Sequence, residues 1–323
     1  MPESSPSALL IRLDAIGDAL ATVPLLAALH AKGIPVDIVL RPANAGILSS
    51  QAVRSVVVSD FDLRSSSRSN VAAIERFGSR LAPHAYTHAL VATEDPAGYR
   101  LALASRAPVR VGFSNAWGKP AKTLWTRRFL TQRVYRSAGP DLRALHECQV
   151  LFELGRTLLG TSAQPSRDPA VLRPLVVDRD PPRDERIAVQ ITDKWERLGI
   201  PFDAVVDLLR CLQSLGPLRL LASAVESDYT GRIVTATGSR VETFTNVRPW
   251  KEAIAAARAL VTPDSGALHV AGMTGTPVVA VYPPSRNYAL QVARWAPWAA
   301  PHGIVRAASN WPARAGEALA QLL

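Results

Sequence analysis

Three short segments hold residues whose types and spacing suit chemistry. The first is Arg12-Leu13-Asp14-Ala15-Ile16-Gly17-Asp18. An apolar run, Ala8 to Leu13, precedes it, and an apolar helical pattern follows. Asp18 therefore falls where a helix opens. A carboxylate there either caps the helix or, at a cleft, takes a proton from a hydroxyl as general base. The second segment is Val261-Thr262-Pro263-Asp264-Ser265-Gly266-Ala267-Leu268-His269. It also leaves an apolar run and opens a helix, and its backbone N–H groups and small residues suit an anion such as a diphosphate. Asp264 or Ser265 could equally cap that helix. His269 lies one turn in, either at the site or satisfied in the core. The third is Gln190-Ile191-Thr192-Asp193-Lys194-Trp195, again just beyond an apolar run. Lys194 there either neutralises a phosphate or is a solvated surface lysine.

Other chemistries lack their residues. The dinucleotide fingerprint G-x-G-x-x-G and the phosphate loop G-x-x-x-x-G-K-[ST] are both absent. The nearest approach, Gly112 to Lys119, has five residues between its glycines and Pro120 after the lysine. Metal spacing is poor. His84 and His88 follow Pro83 without a third ligand, His146-Glu147-Cys148 lacks a second histidine, and Asp178-Arg179-Asp180 sits in a proline-rich stretch. Neither a metal nor a cofactor is expected.

The elements that must position these residues alternate. Strands are expected at Val36–Leu40, Val53–Val58, Ala89–Ala92 and Val109–Gly112. Helices are expected at Ala19–Ala31, Ser69–Leu81 and Gly98–Ser105, with a long one over Leu142–Leu159. After Pro165, Pro169, Pro174, Pro181 and Pro182, the alternation restarts at Ile187–Gln190. Strands Leu218–Ala222, Val241–Phe244, Ala259–Thr262 and Pro277–Tyr282 then alternate with helices Phe202–Leu215, Ser227–Thr235, Trp250–Arg258 and Ser265–Met273. A helical tail, Ala313–Leu323, closes the chain. The expected fold is α/β: a Rossmann-like doubly wound domain over 1–160, a linker over 161–186 and a second such domain over 187–323, facing across a cleft. In such sheets ligands bind outside the carboxyl ends of the strands. All three segments lie there.

Composition narrows the partners. The chain has 323 residues, 48% of them apolar, and 37 basic against 27 acidic residues, a net charge of +10. That excess favours an anionic partner. Cys148 and Cys211 cannot form a disulfide framework, which fits a reducing compartment. No apolar run reaches the ~18 residues of a membrane span, and the opening residues lack a signal-peptide pattern. A cytoplasmic protein is expected. Between Pro96 and Pro140 there is no acid, while Arg100, Lys119, Lys122, Arg127 and Arg128 alternate with Trp117, Trp125 and Phe129. This stretch suits an anionic macromolecule or a membrane face. No nucleic-acid recognition signature accompanies it, so nucleic acid is not expected.

Together the segments resemble glycosyltransferase family 9, the lipopolysaccharide heptosyltransferases. LLIRLDAIGDALATVPLLAAL resembles the family's opening, VTPDSGALHVAGMTGTPVVAVYPPS its donor-site signature, and HECQVLFELG the helix ending its N-terminal domain. The resemblance implies a GT-B fold and an ADP-activated heptose held by the C-terminal domain. It also implies an anionic, lipid-linked inner-core acceptor held by the N-terminal one, with metal-independent inversion at the anomeric carbon. Asp18 falls on the family's base and Lys194 on its phosphate-binding lysine. Thr192, Asp264, Ser265, Gly266 and His269 fall on the donor site, and Glu226 on the ribose-binding acid. Arg100, Lys119, Lys122, Arg127 and Arg128 are the expected acceptor-binding residues, in a protein peripheral to the inner face of the inner membrane. Two departures stand out. Lys194 is followed directly by Trp195-Glu196 where the family has Lys-x-Trp-Pro, and Pro283-Pro284-Ser285 replaces a usual Gly-Pro-Thr. A transferase using another nucleotide sugar, or a non-catalytic sugar-nucleotide or glycan binder, are the alternatives. Retention of Asp18 and Lys194 disfavours the non-catalytic one.

Overall fold

Twelve strands form two parallel sheets in this computed structural model, which describes residues 5–62, 67–136 and 145–323. The chain divides into two units, Met1–Ser166 and Arg167–Leu323. In the first, β1 (Ala8–Ile11), β2 (Val36–Leu40), β3 (Ser55–Val58), β4 (His88–Val91), β5 (Val109–Ser114) and β6 (Gln132–Tyr135) lie in the order β3-β2-β1-β4-β5-β6. In the second, β7 (Asp184–Ile191), β8 (Leu218–Ser223), β9 (Val241–Phe244), β10 (Ala257–Pro263), β11 (Val278–Tyr282) and β12 (His302–Arg306) lie in the order β12-β11-β10-β7-β8-β9. Each unit thus places its first strand beside its fourth. That junction is where the winding reverses, and the loops leaving the two strand ends part to leave a crevice.

Burial explains which strands the sequence reveals. β1, β2 and β11 are buried throughout; β1 and β11 read as apolar runs, and β2 as one interrupted only by Asp37, which Arg54 and Tyr86 satisfy. The edge strand β6 is mostly exposed and polar, and β12 is only partly buried, so no long apolar run marks either and the sequence reading does not include them. The expected helix Ala19–Ala31 is two helices, Ile16–Leu20 and Val23–Ala31. Thr22 Oγ1 turns back to donate to Ala19 O at 2.6 Å, and Pro24 opens the second helix. The expected helix Leu142–Leu159, whose first residues lie outside the described ones, is Glu147–Phe152, a 3₁₀ turn and Arg156–Leu159. At that turn a Cβ on Gly155 would stand 2.5 Å from Leu25 Cδ1, so a larger residue there would require the Leu25 side chain to shift.

The expected linker 161–186 needs correction. From Arg167 onward the chain belongs to the second unit. Leu172, Leu175, Val176 and Val177 are buried there, and Arg173 donates to Thr274 O and Ala255 O. The prolines shape a packed segment with short helical turns rather than a free tether.

Candidate active site

In the first unit the site grows from the junction of β1 and β4. Ile11 lies opposite Val91, so Arg12 emerges beside Ala92. Arg12 is 2% exposed and donates to Ala92 O. A cation at the buried end of an apolar strand requires compensation. Three carboxylates supply it: Asp18 at 2.8 Å, Asp14 at 3.4 Å and Glu147 at 3.6 Å. Asn44 Nδ2 donates to Asp14 O at 2.7 Å and pins the loop.

Asp18 occupies the third position of the helix Ile16–Leu20, not its cap; the cap residue is Ala15. The carboxylate reaches back, its Oδ2 accepting from Ala15 N at 3.1 Å while Oδ1 accepts from Arg12. This is the acidic half of a capping box. The side chain remains 27% exposed and lines a cavity of about 560 Å3 with Asp14, Asp62, Asp95, Arg41, Ser59 and Phe61. Asp18 therefore both braces the start of its helix and presents a partly exposed carboxylate to the cavity. Burial pushes Asp14 and Glu147 above the usual carboxylate range, against the pull of Arg12 and Arg136.

The basic stretch is largely answered by acids from other segments. Lys122 and Lys119 contact Glu94 Oε2 at 2.8 and 3.2 Å, and Arg136 bridges Glu94 and Glu147. Burial pushes the Glu94 carboxyl up, but hydrogen bonds from Lys122 and Lys119 and the Arg136 charge bring it down to about 2. Arg100 pairs with Glu75 at 3.3 Å and lies over the Trp125 and Phe129 rings. Arg127 and Arg128 are exposed, as are Trp117 and Leu124.

In the second unit the junction is that of β7 and β10. Val189 lies opposite Val261, so Thr192 and Asp264 leave adjacent strand ends. Thr192 Oγ1 donates to Glu226 Oε1, and Lys194 N donates to Thr192 Oγ1 at 3.2 Å. Glu226 stands beyond the end of β8; burial and the neighbouring Asp193 hold its carboxyl above the usual range. Lys194, half-buried, opens a one-turn helix. Trp195 next to it is fully buried, donates to Gln190 O at 3.0 Å and stacks on Trp311. The Lys194-Trp195 departure thus builds core.

Ser265 is the cap residue of the helix Gly266–Thr274, but its hydroxyl pairs with Thr262 Oγ1 at 2.9 Å instead of the helix. The first-turn amides of that helix point out of the strand end as an anion site requires. His269 is 6% exposed and meets Trp295 edge-on. It is a packed histidine in the first turns of that helix. Among the described residues no group of three His, Cys, Asp or Glu side chains converges as metal ligands would, and no helix is long and apolar enough to cross a membrane.

Sequence reasoning passed over Arg12, Asp14, Glu94, Asp95, Arg136 and Glu147. The signal for Arg12 was present: a cation closing an apolar run is anomalous. Glu94 and Glu147 lie 76 and 129 residues beyond Asp18 and are joined to it only by the fold.

Comparison with known proteins agrees with this fold. The model of glycosyltransferase family 9 (heptosyltransferase) matches residues 226–320. No curated protein matches. The solved E. coli heptosyltransferase WaaC with ADP is similar at a TM-score of 0.71 and 18% identity, covering 98% of each chain. E. coli ADP-heptose lps heptosyltransferase II gives 0.70 and 18%, again over 98% of each chain. The glycosyl transferase family 9 protein of Veillonella parvula DSM 2008 gives 0.70 and 16%, over 95% of this chain and 87% of that one. These likenesses establish the α/β fold of the GT-B heptosyltransferases. The family match over the segment from Glu226 to Ala320 marks the chain as a glycosyltransferase that resembles family 9.

Proposed function

We propose that the protein transfers a heptose from ADP-heptose to a lipid-linked inner-core lipopolysaccharide acceptor, inverting the anomeric carbon. Asp18 takes the proton of the acceptor hydroxyl. The freed oxygen bonds to the anomeric carbon as its bond to the diphosphate breaks, and ADP leaves with that electron pair. Lys194 and the amides at the start of the helix Gly266–Thr274 stabilise the charge that builds on the diphosphate. Glu226, oriented by Thr192, accepts from the ribose hydroxyls. Arg127 and Arg128, exposed as Trp117 and Leu124 are, are the groups offered to an anionic acceptor at a membrane surface.

The observation that supports this reading is that Thr192 and Lys194 follow β7, Glu226 is joined to Thr192 from beyond β8, and the helix Gly266–Thr274 opens beyond the adjacent β10. The ADP present with WaaC supports adenosine diphosphate as the leaving group. Melting the protein with ADP, UDP, GDP and dTDP in turn tests it, since a ligand of the folded state raises the melting temperature. ADP is expected to raise it most. A larger rise with another diphosphate replaces the donor.

A further inference from the structure

Two side-chain ties join the segment after β7 to the helix Ser227–Thr237, and Lys194 lies between them in sequence. The first runs from Thr192 to Glu226, the residue just before that helix. The second lies further along both segments. Arg232, on the same helix, donates to both carboxylate oxygens of Glu196, at 2.8 and 2.9 Å. Its guanidinium also sits 4.2 Å from the centre of the Phe202 ring and 5.6 Å from that of Tyr229. Two parallel hydrogen bonds and two ring contacts hold the planar guanidinium in one orientation, which a single-contact surface pair does not. The reaction proposed above gives neither Glu196 nor Arg232 a part.

The helix Lys194–Arg197 is a single turn, and a single turn has no stability of its own. Its orientation must come from what its side chains touch. Trp195 ties one side of it to the core, stacked on Trp311. Glu196, the next residue, is exposed and is tied to the neighbouring helix by Arg232. We propose that the Glu196–Arg232 pair is a clamp that positions Lys194 for the diphosphate. Both are positioning residues. They act through Lys194, by ordering its turn before ADP arrives, so that binding has less ordering left to supply. The inference rests on Lys194 being the residue that holds the diphosphate.

Calorimetric titration of ADP into the full chain tests it, using Glu196→Gln, Arg232→Gln, the double variant, and each single change combined with Lys194→Ala. Each single variant is expected to bind ADP about two- to fivefold more weakly than the wild type, the range open to an exposed ion pair. The sign separates positioning from charge. Acting directly on the diphosphate, loss of the Glu196 charge would tighten ADP binding and loss of the Arg232 charge would loosen it. Positioning requires that both loosen it and that the double variant is no weaker than either single one. It also requires that neither change matters once Lys194 is alanine. The pair is on the surface, so melting temperatures should stay near that of the wild type. Opposite signs, additive losses, unchanged affinity, or equal losses with and without Lys194 overturn the inference. If Lys194→Ala weakens ADP binding and the pair variants do not, the inference falls alone. If Lys194→Ala itself binds ADP as the wild type does, the diphosphate reading falls and the inference with it.

Discussion

Arg12 holds Asp18 at two points. Its Nε donates to the Asp18 carbonyl at 2.9 Å and its Nη2 to the carboxylate at 2.8 Å. Backbone and side chain of the proposed base are thus fixed by one buried guanidinium, and the second carboxylate oxygen is fixed by Ala15 N. Replacing Asp18 by Asn keeps one oxygen, which can accept from Arg12 or from Ala15 N but not from both, and removes the proton acceptor. Turnover of the Asn variant is expected to fall by roughly 10²-fold or more, with its melting temperature near that of the wild type. Near-normal turnover would return Asp18 to a purely structural role.

Removing Arg12 leaves Asp14, Asp18 and Glu147 without their shared cation. Taking one partner from a buried charge cluster costs about 3–5 kcal/mol. Arg12→Met is expected to lose stability on that scale in denaturant unfolding. Adding Glu147→Gln, which removes the most buried of the three carboxylates, should restore part of it. A stable Arg12→Met single variant would show that the cluster does not hold the loop.

Glu94 offers a pH test. Its folded value, about 2, lies below the ordinary 4.5. A lowered folded value means that ionisation stabilises the fold. That contribution is fully present above 4.5 and is lost as pH falls from 4.5 toward 2. Glu94→Gln should be destabilised by roughly 1–2 kcal/mol at neutral pH, discounting for partial exposure. The difference from the wild type should vanish towards pH 2. A constant difference across that range would mean the effect is packing, not charge.

The strands carrying both junctions were legible because they are buried on both faces. β1, β7 and β10 each hold a buried apolar stretch, and the residues just beyond them included Asp18, Thr192, Lys194 and Asp264. The pairing of Thr192 with Glu226 was not legible, since it depends on β7 and β8 lying side by side. Nor was the neutralisation of Lys119 and Lys122. A stretch without acids looks free of counter-charge until the fold brings Glu94 back to it. The segment 167–177 misled for a different reason. Prolines mark extended backbone, but Leu172, Leu175 and Val176 were apolar enough to signal burial, and in the structure their packing places the segment in the second unit.

The most direct test of the account is calorimetric titration of ADP into the wild type and Lys194→Ala. The proposed mechanism assigns donor recognition to the β7–β10 junction of the second unit and has Lys194 hold the diphosphate there. The variant is expected to bind ADP more weakly by about 1.5–3 kcal/mol, the scale of a hydrogen bond to a charged group. Wild-type affinity in Lys194→Ala, with both proteins folded, would contradict it and make Lys194 an ordinary surface lysine.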